Sequence, residues 1–459
     1  MGFREEVDSM GTVKVPEDAY YGAQTQRAIE NFSISSLTFQ PVFIKAVALI
    51  KKHAAQINQE CGLLPLDVSM AIVQAAQEVM DGTFDDQFAV DVFQTGSGTS
   101  TNMNVNEVIA GRANEIITGN IGGKSPVHPN DHVNLGQSSN DVIPSALHIS
   151  AFISIKNRLL PALQNLHESL KNKADEFKDI VKIGRTHLQD AVPVTLGQEF
   201  GGYARQVELA IERLQSIEPR LAELALGGTA VGTGMNTHPE FARRVIACIA
   251  QETGCPFVEA KNHFEAQAAQ DAAVETSAVL KTVAVSLTKI ANDIRWLASG
   301  PRCGIGEIVL PDLQPGSSIM PGKVNPVMPE VILQVAAQVI GNDAAITIGG
   351  QAGNFELNTM LPLIAYNLLQ SIEMLASAVN VFTEKCVDGI IANKEKCAAT
   401  VDKSIALVTK LVPLIGYDKA AALAREAWET GTSVREIALK RNILAEEELN
   451  KLFEKVHEH

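Results

Sequence analysis

The stretch Pro315-Gly316-Ser317-Ser318-Ile319-Met320-Pro321-Gly322-Lys323-Val324-Asn325-Pro326 sets two hydroxyls, an ammonium and an amide between backbone breakers. Gly316 and Gly322 permit dihedrals that other residues avoid, while the three prolines fix φ and remove donors, so the segment reads as a shaped loop. A Gly-Ser-Ser between helices is usually an ordinary connection. Here Lys323 and Asn325 follow it, and both can donate to carboxylate oxygens. That favours a loop that handles a ligand.

Three more polar clusters interrupt the chain. Residues 94–104 crowd hydroxyls and amides around Gly96 and Gly98. Residues 128–141 contain His128, Asn130 and Asp131, then Ser138, Ser139 and Asn140. Residues 184–190 contain Thr186 and His187. Neutral donors (Ser97, Thr99, Ser138, Ser139, Asn140, Thr186, Asn325) outnumber the single loop cation Lys323, a lining suited to a small carboxylate held by many hydrogen bonds. His187 is the one imidazole of its cluster and could shuttle protons near neutrality; alone it would more often be a satisfied structural histidine.

Other motif readings are weaker. Gly96-Ser97-Gly98 lacks the third glycine and the βαβ setting of a dinucleotide fingerprint. His128 and His132 have metal-ligand spacing on a helix, but Pro129-Asn130 favours a turn there, so no metal site is expected. The glycines of 227–234 read as close-packing or turn positions rather than a phosphate cradle.

Long helices must position these clusters. Between residues 266 and 298, Leu280, Val283, Leu287, Ile290, Ile294 and Leu297 recur at alternating spacings of three and four, the seam of helices packed at a shallow angle. One helix over that whole range would be roughly 50 Å long. A second seam carries Ile364, Leu368, Ile372, Leu375, Val379, Phe382 and Cys386. A third pattern runs from about 142 toward 177, with Pro161 expected to kink it or mark a break. Helical pattern also covers about 42–80, and a further helix is expected from about Val105. Each polar cluster is expected beside the end of a long helix, so that the four could line one pocket. The seam residues are scaffold and touch no substrate.

At 459 residues and 46% hydrophobic content the chain can bury a large core, and the length suggests roughly three domains or one large elongated helical body. A net charge of −15 without a basic stripe argues against nucleic acid or an acidic membrane surface as partner. The six scattered cysteines form no Cys-x-x-Cys pair and read as thiols of a reducing compartment. The N-terminus lacks the apolar core of a signal peptide, and no unbroken apolar run approaches ~18 residues. A cytoplasmic protein is expected.

Residues 316–325, Gly-Ser-Ser-Ile-Met-Pro-Gly-Lys-Val-Asn, resemble the signature of the fumarase/aspartase superfamily, and the other polar clusters match its remaining motif regions along essentially the whole chain. Within the superfamily the chain is most similar to the class II fumarases, the metal-free type that interconverts fumarate and L-malate. Thr95-Gly96-Ser97-Gly98-Thr99-Ser100, the serine at 139, His187 and Gly322 favour that branch. Residues 326–331 read more like an aspartase, which leaves aspartate ammonia-lyase as the alternative.

The resemblance implies a mainly α, three-domain fold with a central long-helix bundle, divided at 1–138, 139–392 and 393–459. It implies anti elimination through a carbanion, without cofactor. Ser317 would be the base at C3 of malate, and His187 paired with Glu330 would assist departure of hydroxide. A serine hydroxyl is a poor base unless loop amides and Lys323 stabilise its alkoxide. Ser97, Gly98, Thr99, Ser138, Ser139, Asn140, Thr186, Ser318, Lys323 and Asn325 would bind the dicarboxylate. A second dicarboxylate site would map to His128, Asn130 and Asp131, and it is expected to be weak because Ser125-Pro126 replaces a basic residue often found upstream. A homotetramer whose active sites are each shared by three chains is also implied.

Overall fold

The computed structural model describes residues 2–454. Helices dominate, and among the described residues strands occur only as two-stranded pairs. The chain forms two compact units, one from residues up to 161 with 212–284 and 337–376, the other from 162–211, 285–336 and 377 onward.

The first unit opens with an antiparallel hairpin, Phe3–Asp8 with Gly11–Pro16. Helices Pro41–Glu60 and Leu66–Met80 follow, so the helical pattern of 42–80 is two helices broken around Pro65. Phe43, Val47, Ile50, Ile57, Ile72 and Val79 are buried from their faces. The helix expected from Val105 begins earlier, at Thr99, and runs to Thr118. Its first turns are polar, which hid the start from any apolar periodicity.

The third pattern is three consecutive segments, Ser139–Ser154, a wider π turn Ile155–Leu159, and Leu160–Glu176. Pro161 stands second in the last segment, where a missing N–H costs least. Pro144, by contrast, lies inside the first.

The seam at 266–298 is not one helix. A short helix, His263–Ala268, capped by the Asn262 side chain, gives way to extended backbone at Ala269, and the long helix is Asp271–Leu297. Its 27 residues span about 40 Å rather than 50. Alanines at 266, 268, 269 and 272 carry no breaker, so the sequence could not mark the gap. All six seam residues are buried, as are all seven of the second seam, six of them in the helix Leu361–Lys385 and Cys386 just beyond it.

Polar bonds fix how the first unit's helices meet. Asp343 of the helix Val327–Gly350 accepts from Ser277 Oγ at 2.8 Å and pairs with Lys281 Nζ at 2.6 Å. Asn342 beside it donates to Gln370 Oε1 and Ser371 Oγ, both at 3.0 Å. Replacing Leu368, fully buried in this packing, with alanine is expected to cost about 2–5 kcal/mol. Urea denaturation should show a lower midpoint with an unchanged m value.

Val327–Gly350 also corrects the reading by run length. It has 24 residues and a window of mean hydropathy 1.5, long and apolar enough to cross a bilayer. Glu330, Asn342 and Asp343 interrupt its apolar residues, so a count of unbroken runs passes over it.

In the second unit, an antiparallel hairpin, Val181–Thr186 with Gln189–Thr195, precedes the helix Leu196–Ser216. Its C-terminal part is short helices, Lys394–Lys403, Tyr417–Thr430, Val434–Lys440 and Glu446–Glu454, around Leu407, Leu411, Leu423, Ile437, Leu449 and Phe453. The last of these opens with Glu446, Glu447 and Glu448 in its first turn, and residues 455–459 lie outside the described residues.

Candidate active site

The loop at 315–326 is closed on itself. Gly316 N–H donates to the Lys323 carbonyl at 2.7 Å, and Asn325 Nδ2 donates to the Gly316 carbonyl at 2.8 Å. A Cβ on Gly316 would stand 2.4 Å from the Lys323 oxygen, so the closure requires glycine. Inside it, Ser317 Oγ accepts the N–H of Ile319 at 3.2 Å and of Met320 at 2.9 Å. Two amide donors aimed at one hydroxyl oxygen favour its anionic form. Lys323 Nζ is 2.6 Å from Asn325 Oδ1, so in this structure the amides, and not the ammonium, serve Ser317. Ser318 and Lys323 are exposed.

The cluster at 184–190 is the tip of the second unit's hairpin, not a helix end. His187 and Leu188 form its two-residue turn with φ of +54° and +59°. Left-handed backbone at two successive non-glycine residues is strained, and persists only where the flanks are held. They are held by charge. Arg185 donates twice to Glu307, at 3.0 and 2.7 Å, and Lys182 Nζ lies 3.2 Å from the same carboxylate and 2.8 Å from Glu199. Glu307 and Lys182 are fully buried. Burial raises the Glu199 carboxyl pKa despite Lys182 beside it. Nothing in the sequence reading pointed to Glu307. Its signal is a lone carboxylate in Gly304-Ile305-Gly306-Glu307-Ile308, a setting too apolar for a solvated charge.

Glu330 occupies the first turn of Val327–Gly350, where a carboxylate suits the helix dipole. Among the described residues no hydrogen bond or ion pair joins it to His187, which is exposed. The second unit's cavity, about 580 Å³, is lined by Lys323 and Asn325 but by none of His187, Ser317, Ser318 and Glu330.

In the first unit, two of the clusters meet. Ser97 Oγ and Thr99 Oγ1 are 2.8 Å apart, and Thr99 Oγ1 and Ser139 Oγ 2.7 Å, a chain of hydroxyls across the N-termini of two helices. Such termini present free N–H groups and positive potential, a setting for a carboxylate. Gly98, with φ +72°, turns the chain into its helix, and a Cβ there would stand 3.0 Å from Ile143. Its part is steric. Ser138 caps the next helix reciprocally with Asp141, and Asn140 Nδ2 donates to the Ala230 carbonyl at 2.8 Å.

Below the hydroxyls lies a buried polar network that the sequence reading also missed. Asp141 Oδ2 accepts from Gly227 N–H at 3.0 Å and Thr229 N–H at 2.9 Å, which gives those turn residues a definite role. Asn134 Oδ1 accepts from Lys51 Nζ at 2.8 Å, Asn102 at 3.1 Å and Asn106 at 3.2 Å. Burial pushes the Lys51 ammonium down to about 7, and the Asp141 charge opposes that. Burial raises the Asp141 pKa against the pull of three N–H donors.

His128 Nδ1 accepts N–H from Asn130 and Asp131, each at 3.1 Å, capping the π turn Pro129–Val133. A nitrogen that accepts carries no proton, so the 3.5 Å approach of Asp131 to it is not an ion pair. Burial lowers the His128 pKa, with Asp131 opposing. The imidazole therefore brings little positive charge to an anion. His132 Nδ1 likewise accepts the His128 N–H, at 2.9 Å, and is committed within the turn.

Comparison with known proteins places these geometries in context. A family model described as "Lyase" matches residues 11–341, and a second, "Fumarase C C-terminus", matches 407–455. The chain is 55% identical over 448 residues to the class II fumarate hydratase of Nitrosomonas europaea, covering 98% of this chain and 97% of that protein. It is 54% identical over 451 residues to the mitochondrial fumarate hydratase of Homo sapiens, covering 98% and 88%. Among solved structures, the class II fumarase of Schistosoma mansoni superposes with a TM-score of 0.95 at 42% identity, covering 98% of each chain.

Proposed function

The chain belongs to the class II fumarate hydratases, and from that membership we propose that Ser317 takes the C3 proton of L-malate while His187 and Glu330 assist hydroxide departure. The overall reaction is the reversible interconversion of L-malate and fumarate plus water. The aspartate ammonia-lyase alternative, raised by residues 326–331, is not favoured by relatives that are fumarate hydratases.

The observation that carries the base assignment is the pair of amide N–H bonds onto Ser317 Oγ. With the oxygen stabilised as an alkoxide, the C3–H bond breaks toward it, and its electron pair moves into the adjacent carboxylate. That developing dianion needs donors: Lys323, Asn325, Ser318 and Thr186 on one side, the hydroxyls of Ser97, Thr99, Ser138, Ser139 and the Asn140 amide on another. As the C2–O bond breaks, protonated His187 supplies the proton that lets hydroxide leave as water, with Glu330 favouring the imidazolium. His128, Asn130 and Asp131 are proposed as a weak second dicarboxylate site. The domain division at 138/139 and 392/393 is proposed with the rest.

The site is proposed to be assembled by a homotetramer, three chains contributing to each centre. Two features support this: among the described residues no hydrogen bond or ion pair joins His187 to Glu330, and Val327–Gly350 leaves Ile340 and Ile348 exposed on one side for a partner subunit to cover. Six free cysteines fit a reducing compartment such as the cytoplasm.

The test is to treat the purified protein with chelator, supply L-malate and L-aspartate separately, and follow fumarate absorbance. Product from malate alone is expected. Product from aspartate alone would reverse the choice of nucleophile. In sedimentation, a monomer with full activity would overturn the shared site.

A further inference from the structure

The cavity of about 580 Å³ in the second unit has the size of a small-molecule site and is lined by loop residues 322–326 but not by Ser317 or Ser318. Its walls differ from those of the hydroxyl-rich clusters. Ile308, Leu310, Leu313 and the half-exposed Trp296 supply apolar surface, and Arg295, Lys323 and Lys385 supply three cations against one carboxylate, Asp312. The side chains of Arg295, Lys385 and Asp312 make no hydrogen bond or ion pair among the described residues, so the two cations that line the cavity are not neutralised by contact with a protein carboxylate. In a chain of net charge −15 that local excess needs an explanation.

We propose that this cavity binds an amphipathic monoanion, its acid group between Arg295 and Lys385 and its ring or short alkyl body against Trp296, Ile308 and Leu313. The chemistry selects against the substrate. Lys323 Nζ is already held by Asn325 Oδ1 at 2.6 Å, so a dicarboxylate's second charge would meet Asp312 and apolar walls and lose hydration without a free cation. A single anion with an apolar body meets both the charge and the surface.

Occupancy has a consequence for the loop. Lys323 and Asn325 line the same cavity, and Asn325 holds the closure through Gly316. A ligand packed behind Val324 braces that closed form and slows any motion that turnover needs. This effect rests on the loop's part in malate dehydration, whereas the binding itself does not.

The probe is 8-anilinonaphthalene-1-sulfonate, an amphipathic monoanion that fluoresces on binding, titrated into the intact protein beside its neutral counterpart N-phenyl-1-naphthylamine. Saturable binding of one sulfonate dye per chain is expected, about tenfold or more weaker in Arg295→Gln/Lys385→Gln. That variant removes no bond from the fold and should keep its melting temperature and its turnover of malate. Leu313→Trp, which adds bulk to the apolar wall and leaves the charges, should weaken binding as well. With dye bound, kcat for malate should fall while KM holds. Equal affinity in the double variant, equal affinity for the neutral dye, or competitive displacement by L-malate would each overturn the site. Dye binding with kcat unchanged would overturn the grip on the loop. Because fluorescence reads binding without turnover, a failure of the malate assay is distinguishable from a failure of the pocket.

Discussion

Ser317→Ala is expected to lower kcat for malate dehydration by about 10²- to 10⁴-fold, the range for loss of a positioned proton acceptor. The structure isolates this effect well. Loop closure uses the Gly316 N–H, the Lys323 carbonyl and the Asn325 amide, none of which involves the Ser317 hydroxyl. Alanine at 317 therefore leaves the loop's frame while removing the oxygen that receives the Ile319 and Met320 amides. KM and the melting temperature should change little, and exchange of the C3 proton of malate with solvent should fall with turnover. Gly316→Ala is the contrasting variant. It keeps Ser317 but drives a Cβ against the Lys323 carbonyl, so it should open the loop and impair binding and turnover together. Undiminished turnover in Ser317→Ala would remove that hydroxyl from the mechanism.

The second large effect is expected far from any ligand. Glu307→Gln should destabilise the protein by about 3–5 kcal/mol, the cost of breaking a buried ion pair and leaving its cations uncompensated. Arg185 would lose both its charged bonds, and buried Lys182 would keep only Glu199, whose own ionisation is opposed by burial. Denaturant midpoints would read the loss. Turnover should fall as well, because Arg185 stands two residues before His187 on the strand that leads into the strained turn. Glu307→Asp separates the two effects. It keeps the charge but shortens the reach by one methylene, so stability should largely return while the two-point grip on Arg185, and with it His187 geometry, does not. The pH profile of kcat should then shift for Glu307→Asp relative to the native protein, since the His187 environment changes. A Glu307→Gln protein as stable and active as the native one would refute the account.

The aspartase-like residues 326–331 bear on how local motifs should be weighed. They form the entry to Val327–Gly350, where Pro329 is buried and Glu330 stands in the first helical turn. Their choice answers to helix start and packing as much as to the nucleophile, and the relatives side with water.

How much was legible before the fold depended on the range of the interaction. The helical seams were readable because a period near 3.6 forces every third or fourth side chain onto one face, and the thirteen seam residues at 280–297 and 364–386 are all buried. The closed loop was readable because glycine and proline restrict backbone through their own covalent structure. The polar clusters were readable by type, since hydroxyls and amides crowded between glycines and prolines stand out from the apolar helices around them. Breaks written without breakers were not readable, such as the one at Ala269, nor was the helix start at Thr99, where apolar periodicity is silent.

What this sequence determined by itself was the helical scaffold, the shaped loop and the chemistry available to a small dicarboxylate, all consequences of local covalent geometry and side-chain type. Only the tertiary structure decided that amides rather than Lys323 attend Ser317, that His187 rides a strained hairpin turn held by Glu307, and that Lys51 and Asp141 lie buried beneath the hydroxyls. Those are meetings of residues far apart in the chain or of backbone groups whose directions depend on the fold, and a hydrogen bond's strength depends on distance and angle that no spacing in one dimension encodes.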